Sequence, residues 1–266
     1  MSFETLIVEK VENVAKITLN RPDRLNTINT ALRWDLYNAL EDILKDDNIR
    51  AVVITGAPRI TEKEGKKEIK YCFSAGWDMT EASAGGPGEG PPVDLMDYIQ
   101  NFEKPIMAMV NGYALGGGNE LAMRCDFIYA SENSEFGQPE IDRGFIPGWG
   151  GTQVLPRRVG LSEAKRIILT GERISAREAE RIGLADVVAP MKKLEETTME
   201  FAKKMASKAP LAIKRIKKVM NNGIDTDLKS GLKLELEARD FLTTTEDFQE
   251  GIMSFFEKRP PKWKGK

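Results

Sequence analysis

Histidine is absent from all 266 residues. That removes Ser-His-Asp and Cys-His catalysis and imidazole metal ligation. Cysteine is scarce: Cys72 and Cys125 match no metal-ligand spacing and are too few for a disulfide framework, so both are expected as buried, reduced thiols. No apolar run approaches the roughly 20 residues that span a bilayer. The first residues, Met1-Ser2-Phe3-Glu4-Thr5, are neither basic nor followed by a signal-like apolar block, which makes the cytoplasm the expected location. A net charge of −2 argues against nucleic acid or an anionic membrane as the main partner. At 41% hydrophobic and 30% charged, the chain suits one large domain, or one domain with a helical appendage. Without histidine, proton transfer near neutral pH falls to carboxyls, lysine, tyrosine or cysteine with shifted pKa values.

Glycine-rich stretches around two glutamates supply the positive signal. Glu120 follows Asn111-Gly112-Tyr113-Ala114-Leu115-Gly116-Gly117-Gly118-Asn119, an apolar run into three glycines. Glu140 sits in Phe136-Gly137-Gln138-Pro139-Glu140-Ile141, shortly before Ile146-Pro147-Gly148-Trp149-Gly150-Gly151-Thr152. Glycines let the main chain approach a ligand, and a helix that starts there offers free N–H groups to negative charge. Paired carboxyls beside such donors suit proton transfer coupled to oxyanion formation. Taken alone, Glu120 reads more readily as a solvated glutamate on a helix face, and Glu140 reads either way.

Along the chain, Leu6–Val11 and Val14–Leu19 read as a hairpin turning at Glu12-Asn13. Residues 31–45 carry an apolar stripe at Leu32, Leu36, Ala39, Leu40, Ile43 and Leu44. Ala51–Thr55, Pro105–Val110 and Asp126–Ala130 read as strands, the first a short, wholly apolar one of the kind parallel sheets bury on both faces. Residues 1–160 therefore read as α/β. Ser175-Ala176-Arg177-Glu178 has the form of a capping box, and helices are expected near 193–207, 210–221, 225–243 and 245–257. Residues 57–70, with five basic and three acidic side chains, read as a polar loop. The Gly- and Pro-rich run 83–92 reads as a mobile loop, either a lid beside a site or a plain surface connection.

These blocks resemble the enoyl-CoA hydratase/isomerase, or crotonase, superfamily over nearly the whole chain. The resemblance rests on Asn20-Arg21-Pro22 with Leu25-Asn26, Phe73-Ser74-Ala75-Gly76-Trp77-Asp78, Asn111–Met123 and Phe136–Thr152. Leu169-Thr170-Gly171, Gly183-Leu184 and Phe256-Glu257-Lys258-Arg259 complete it in order. It implies an α/β fold: a spiral of repeated β-β-α turns over residues 1–195, holding the active site. Residues 196–266 would be a helical region for trimerisation and for closing the CoA site. The implied assembly is a trimer or a dimer of trimers.

The implied reaction is reversible hydration of a 2-enoyl-CoA to a 3-hydroxyacyl-CoA, as in β-oxidation, with no cofactor beyond the coenzyme A of the substrate and no metal. Carried onto this sequence, Glu120 and Glu140 are the catalytic pair, with Trp77 and Gly117 giving the backbone N–H groups of an oxyanion hole. Gly148, Trp149 and Met79 fall at the water and acyl pocket, with Tyr98 and Phe145 as further candidate walls. Arg24, Leu25, Thr27, Ala75, Asp78 and Lys258 fall at the CoA site. Lys66, Lys67 or Lys70 are candidates to extend it, although a solvated charged loop is the favoured reading of that segment. Asp78 and Asp142 are nearby carboxylates read as loop caps or salt-bridge partners, with replacement of one glutamate as the alternative. Trp149 stands where many hydratases carry something small, which leaves a cyclic dienoyl-CoA, from aromatic-compound breakdown, as an alternative substrate. An enoyl-CoA isomerase is the other alternative.

Overall fold

The computed structural model describes residues 3–63, 65–84, 86 and 88–266; Glu64 in the 57–70 segment and Gly85 and Pro87 in the 83–92 segment lie outside the described residues. The larger sheet runs in the order β1 (Leu6–Val11), β2 (Val14–Leu19), β3 (Ala51–Gly56), β7 (Ile106–Val110), β9 (Phe127–Ser131), β12 (Val187–Ala189). Only the β1–β2 hairpin is antiparallel; every other neighbour pair is parallel. β3 and β7 are buried at every position, as strands covered on both faces must be. A smaller sheet joins β6 (Cys72–Ser74), β8 (Tyr113–Leu115), β10 (Glu135–Gly137) and β11 (Arg173–Ser175), the first three parallel.

The chain visits the sheets in turn: β3 then β6, β7 then β8, β9 then β10. Helices follow each visit: α2 (Met79–Ser83) and α3 (Leu95–Gln100), then α4 (Gly117–Arg124), then α5 (Gly151–Val159) and α6 (Leu161–Thr170). This is the expected spiral of β-β-α turns. Before it, α1 (Thr30–Lys45) buries Leu32, Leu36, Ala39, Leu40 and Ile43, and its N-cap Asn29 accepts the Leu32 N–H. Later, Ser175 caps α7 (Ala176–Arg181) by accepting the Glu178 N–H, as the capping box requires. Both cysteines are free and buried, and burial pushes each thiol up to about 12.

Two expectations changed. Residues 59–70 are not a loop but a hairpin, β4 (Arg59–Lys63) with β5 (Lys66–Lys70), pairing Ile60 with Ile69 and turning at Gly65 with φ +73°. Its charge density hid a strand signal in Ile60, Thr61 and Ile69. The boundary expected at 195/196 falls inside α8 (Met191–Ala206), which packs Leu194, Met199, Ala202 and Ala206 into an apolar cluster with strands of the larger sheet. The helical appendage begins instead with α9 (Pro210–Gly223), followed by α10 (Leu228–Thr243) and α11 (Glu246–Phe256). Among the described residues no helix is long and apolar enough to cross a membrane.

Candidate active site

β6, β8 and β10 lie side by side and parallel, so their C-terminal ends open at one edge, where ligands of such sheets commonly bind. β6 runs on through Ala75-Gly76 to Trp77, β8 through Gly116 into α4, and β10 through Gln138-Pro139 to Glu140. The register pairs Gly137 with Leu115 and Ser74 with Ala114, so the three exits sit level.

Trp77 forms a parallel bridge with Ile28: the Ile28 N–H donates to Gly76 O (2.8 Å) and the Asp78 N–H to Ile28 O (3.1 Å). In that pattern the Trp77 N–H faces the opposite side. Gly117 is the first residue of α4, so its N–H has no acceptor within the helix. A Cβ at Gly76 would lie 3.2 Å from Gly117 N, and one at Gly117 would lie 3.5 Å from Trp77 N. The two donors therefore converge, and among the described residues neither has an acceptor. Gly76 (φ +98°) and Gly116 (φ +53°) make this possible; a side chain at Gly116 would come within 2.7 Å of Glu140 Oε1.

Glu120 lies in the first turn of α4 and is buried. Its Oε1 accepts the N–H groups of Trp149 and Gly151, both at 2.7 Å. Burial raises its pKa, against those two donors and Arg124, which favour the carboxylate. Glu140, in the 3-10 turn Pro139–Arg143, is pushed up to about 7, mainly by burial and further by the charge of Glu120. Gln138 is fully buried; with its amide nitrogen turned toward Glu140, it donates at 3.3 and 3.2 Å to the two carboxylate oxygens. A Cβ at Gly151 would meet the Gln138 carboxamide at 3.0 Å and Glu120 Oε1 at 3.1 Å. Two carboxyls thus flank one buried amide beside two free N–H donors.

Of the other candidates, the Trp149 ring lies against Gly117, where a Cβ would sit 2.6 Å from it. Trp77 and Phe145 face each other with ring centroids 6.3 Å apart. Gly148 is exposed with no close neighbour, and Met79, at the start of α2, is also exposed. Tyr98 turns away: its hydroxyl donates to Glu41 (2.6 Å) and its ring packs on Tyr37. Asp142 lies against the Gly171 turn.

Arg24 is exposed on the turn before Leu25 and Asn26, which both take positive φ, 51° and 53°. Asn26 anchors that strained pair, donating to Ala57 O (3.0 Å) and Cys72 O (2.7 Å), while the Ala75 N–H donates to Leu25 O (3.0 Å). Residues 24–27 and 75–78 therefore form one surface. Asp78 is committed within it: burial disfavours its carboxylate, but Thr80 and Arg21 together prevail and hold it at about 2. Thr27 also donates to Asp78. Lys258 lies in the turn two residues past the end of α11, exposed, and among the described residues makes no hydrogen bond or ion pair with this surface. Sequence reasoning missed Gln138 and Arg124 as contributors. Gln138 lay within a matched block, but only the fold brings it to Glu140.

The chain resembles known proteins over nearly its whole length. The family model described as enoyl-CoA hydratase/isomerase matches residues 9–266. A short-chain-enoyl-CoA hydratase of Clostridium acetobutylicum is 39% identical, with 97% of each chain covered. A 2,3-dehydroadipyl-CoA hydratase of Escherichia coli is 40% identical over 98% of this chain and 99% of its own. The crystal structure of an enoyl-CoA hydratase from Bacillus anthracis superposes with a TM-score of 0.88 at 38% identity, covering 99% of this chain and all of that one. The chain belongs to the enoyl-CoA hydratase/isomerase family.

Proposed function

We propose that the protein hydrates a 2-enoyl-CoA thioester to a 3-hydroxyacyl-CoA, with Glu120 and Glu140 as the proton-transfer pair. The observation that carries this reading is two carboxyls, both with raised pKa, beside the converging N–H groups of Trp77 and Gly117. The thioester oxygen is held by those two donors. Glu120 takes a proton from water as the water oxygen bonds to C3. The C2–C3 π electrons move toward the carbonyl, and the enolate-like oxygen is stabilised by the two N–H groups. Glu140, near half-protonated at neutral pH, supplies the proton to C2. The two N–H bonds to Glu120 favour its ionised form and support its role as base.

The reaction uses no cofactor beyond the coenzyme A of its substrate. Arg24, Leu25, Thr27 and Ala75 hold the CoA moiety, with Asp78 bracing that surface through Arg21. Trp149 walls the acyl pocket, Gly148 borders the water and Met79 lies at the mouth. The aromatic walls, Trp77, Phe145 and Trp149, also suit a flat ring, so a cyclic dienoyl-CoA is the second substrate to try.

The functional form is a trimer or a pair of trimers. α9 and α10 bury none of their residues, yet present Ile216, Met220 and Ile224, and Leu228, Leu232 and Leu236, at four-residue spacing. An apolar groove of about 680 Å³ between Leu211, Leu242, Phe248, Ile252 and Phe255 extends that surface. Faces of this kind mark association sites, and Lys258 then reaches CoA phosphates from a neighbouring copy. The test is loss of the conjugated-thioester absorbance with crotonyl-CoA. Loss in the wild type but in neither Glu120→Gln nor Glu140→Gln supports the two-carboxyl reading; loss in both variants, or none in the wild type with linear or cyclic substrates, rejects it.

A further inference from the structure

Arg124 stands one helical turn beyond Glu120 on α4, and the two hold the same residue, Trp149, by its N–H and its carbonyl. Glu120 accepts the Trp149 N–H at 2.7 Å. Arg124 Nε and Nη2 donate to the Trp149 carbonyl at 3.3 and 3.1 Å. The approach is close enough that Gly150, at φ +112°, has no room for a side chain: a Cβ there would fall 2.4 Å from Arg124 Nη2. Arg124 Nη1 is itself held by Gln100 Oε1, and the Gln100 carbonyl accepts from Asn221 of α9 at 2.9 Å. Among the described residues Arg124 has no salt-bridge partner; its donors go to a carbonyl and an amide. The residue so clamped carries the indole that lies on Gly117.

We propose that Arg124 is a positioning residue that, by holding the Trp149 carbonyl, keeps the indole over Gly117 and so sets how long an acyl chain the site accepts. This rests on the hydratase reading above. A planar fork can serve the Trp149 carbonyl and Gln100 at once; a lysine can serve one. Without the clamp the indole swings aside, and the pocket lengthens by one or more methylenes, each worth roughly 10–200-fold in discrimination.

The experiment compares kcat/KM for crotonyl-CoA and 2-decenoyl-CoA, with hydrogen exchange of residues 146–152 in the free protein. Arg124→Met should raise the decenoyl-to-crotonyl ratio about tenfold and speed exchange in that segment alone, with Arg124→Lys between. In a Trp149→Ala background the same change should leave the ratio unmoved, because the two act as one unit. An unchanged ratio with unchanged exchange, or an equal shift in the Trp149→Ala background, overturns the inference. If Arg124→Met does not fold, Gln100→Ala decides by the same readouts, with a smaller shift expected and no shift overturning it. If the wild type hydrates no enoyl-CoA, the hydratase reading fails separately, and local exchange still decides whether Arg124 holds the segment.

Discussion

The edge of the smaller sheet and the C-terminal helices reverse the usual distribution of polarity. At the edge the chain buries Glu120, Gln138 and Asn119 among glycines. In α9, α10 and α11 it exposes leucine, isoleucine and phenylalanine, with Phe255 and Phe256 each 77% accessible. Buried charge is costly unless it is hydrogen-bonded, and exposed apolar stripes are unusual on a monomer. Neither region is at rest as an ordinary protein surface or core. The first is organised for chemistry; the second fits the contact between chains proposed above.

The largest expected effect separates them most sharply. Glu120→Gln should lower turnover by about 10²–10⁴-fold while leaving the sedimentation behaviour intact. Gly117→Ala comes next: its methyl would press on Trp149 at 2.6 Å and crowd the oxyanion position. A loss of about 10²–10³-fold in kcat is expected, measured on a variant whose cooperative melting shows that it is folded. The converse change, Leu232→Glu with Leu236→Glu, should dissociate the proposed trimer in analytical ultracentrifugation; an unchanged sedimentation coefficient would remove these helices as the interface.

A smaller effect comes from pH. Below pH 4.5 Glu140 is protonated in both folded and unfolded chains. Between 4.5 and about 7 the unfolded chain releases its proton first, so the folded state loses stability as pH rises through that window. Glu140→Gln should therefore match wild-type stability at pH 4 and exceed it at pH 8 by about 1 kcal/mol, after discounting for partial exposure. Wild-type activity should fall on the alkaline side of about pH 7, where the acid is lost. The smallest effect lies at the hairpin: Lys66→Glu with Lys67→Glu should raise the KM for acyl-CoA about threefold, and no change would leave these lysines as solvent-facing charge.

Much of this was legible in the chain. The apolar periodicity located α1 and the buried strands, and the absence of histidine directed attention to carboxyls. The glycine run before Glu120 signalled a helix start beside close main-chain approach. Local patterns fail where partners are distant. The β4–β5 hairpin was hidden because strand pairing rewards Ile60 opposite Ile69, while charge counts around them suggest a loop. The end of the core was misplaced because the buried side of α8 reads like any amphipathic helix until the sheet it covers is known.

By itself the sequence determined which groups can do chemistry: two glutamates, glycines where no side chain fits, and no imidazole to compete. Tertiary structure alone decided that they meet. Trp77, Gly117 and Glu140 come together because β6, β8 and β10 pair in parallel and in step, a register that depends on strands tens of residues apart. The raised pKa of Glu140 is likewise a property of the place, since burial and a neighbouring carboxylate create it, not the residues on either side of it in the chain.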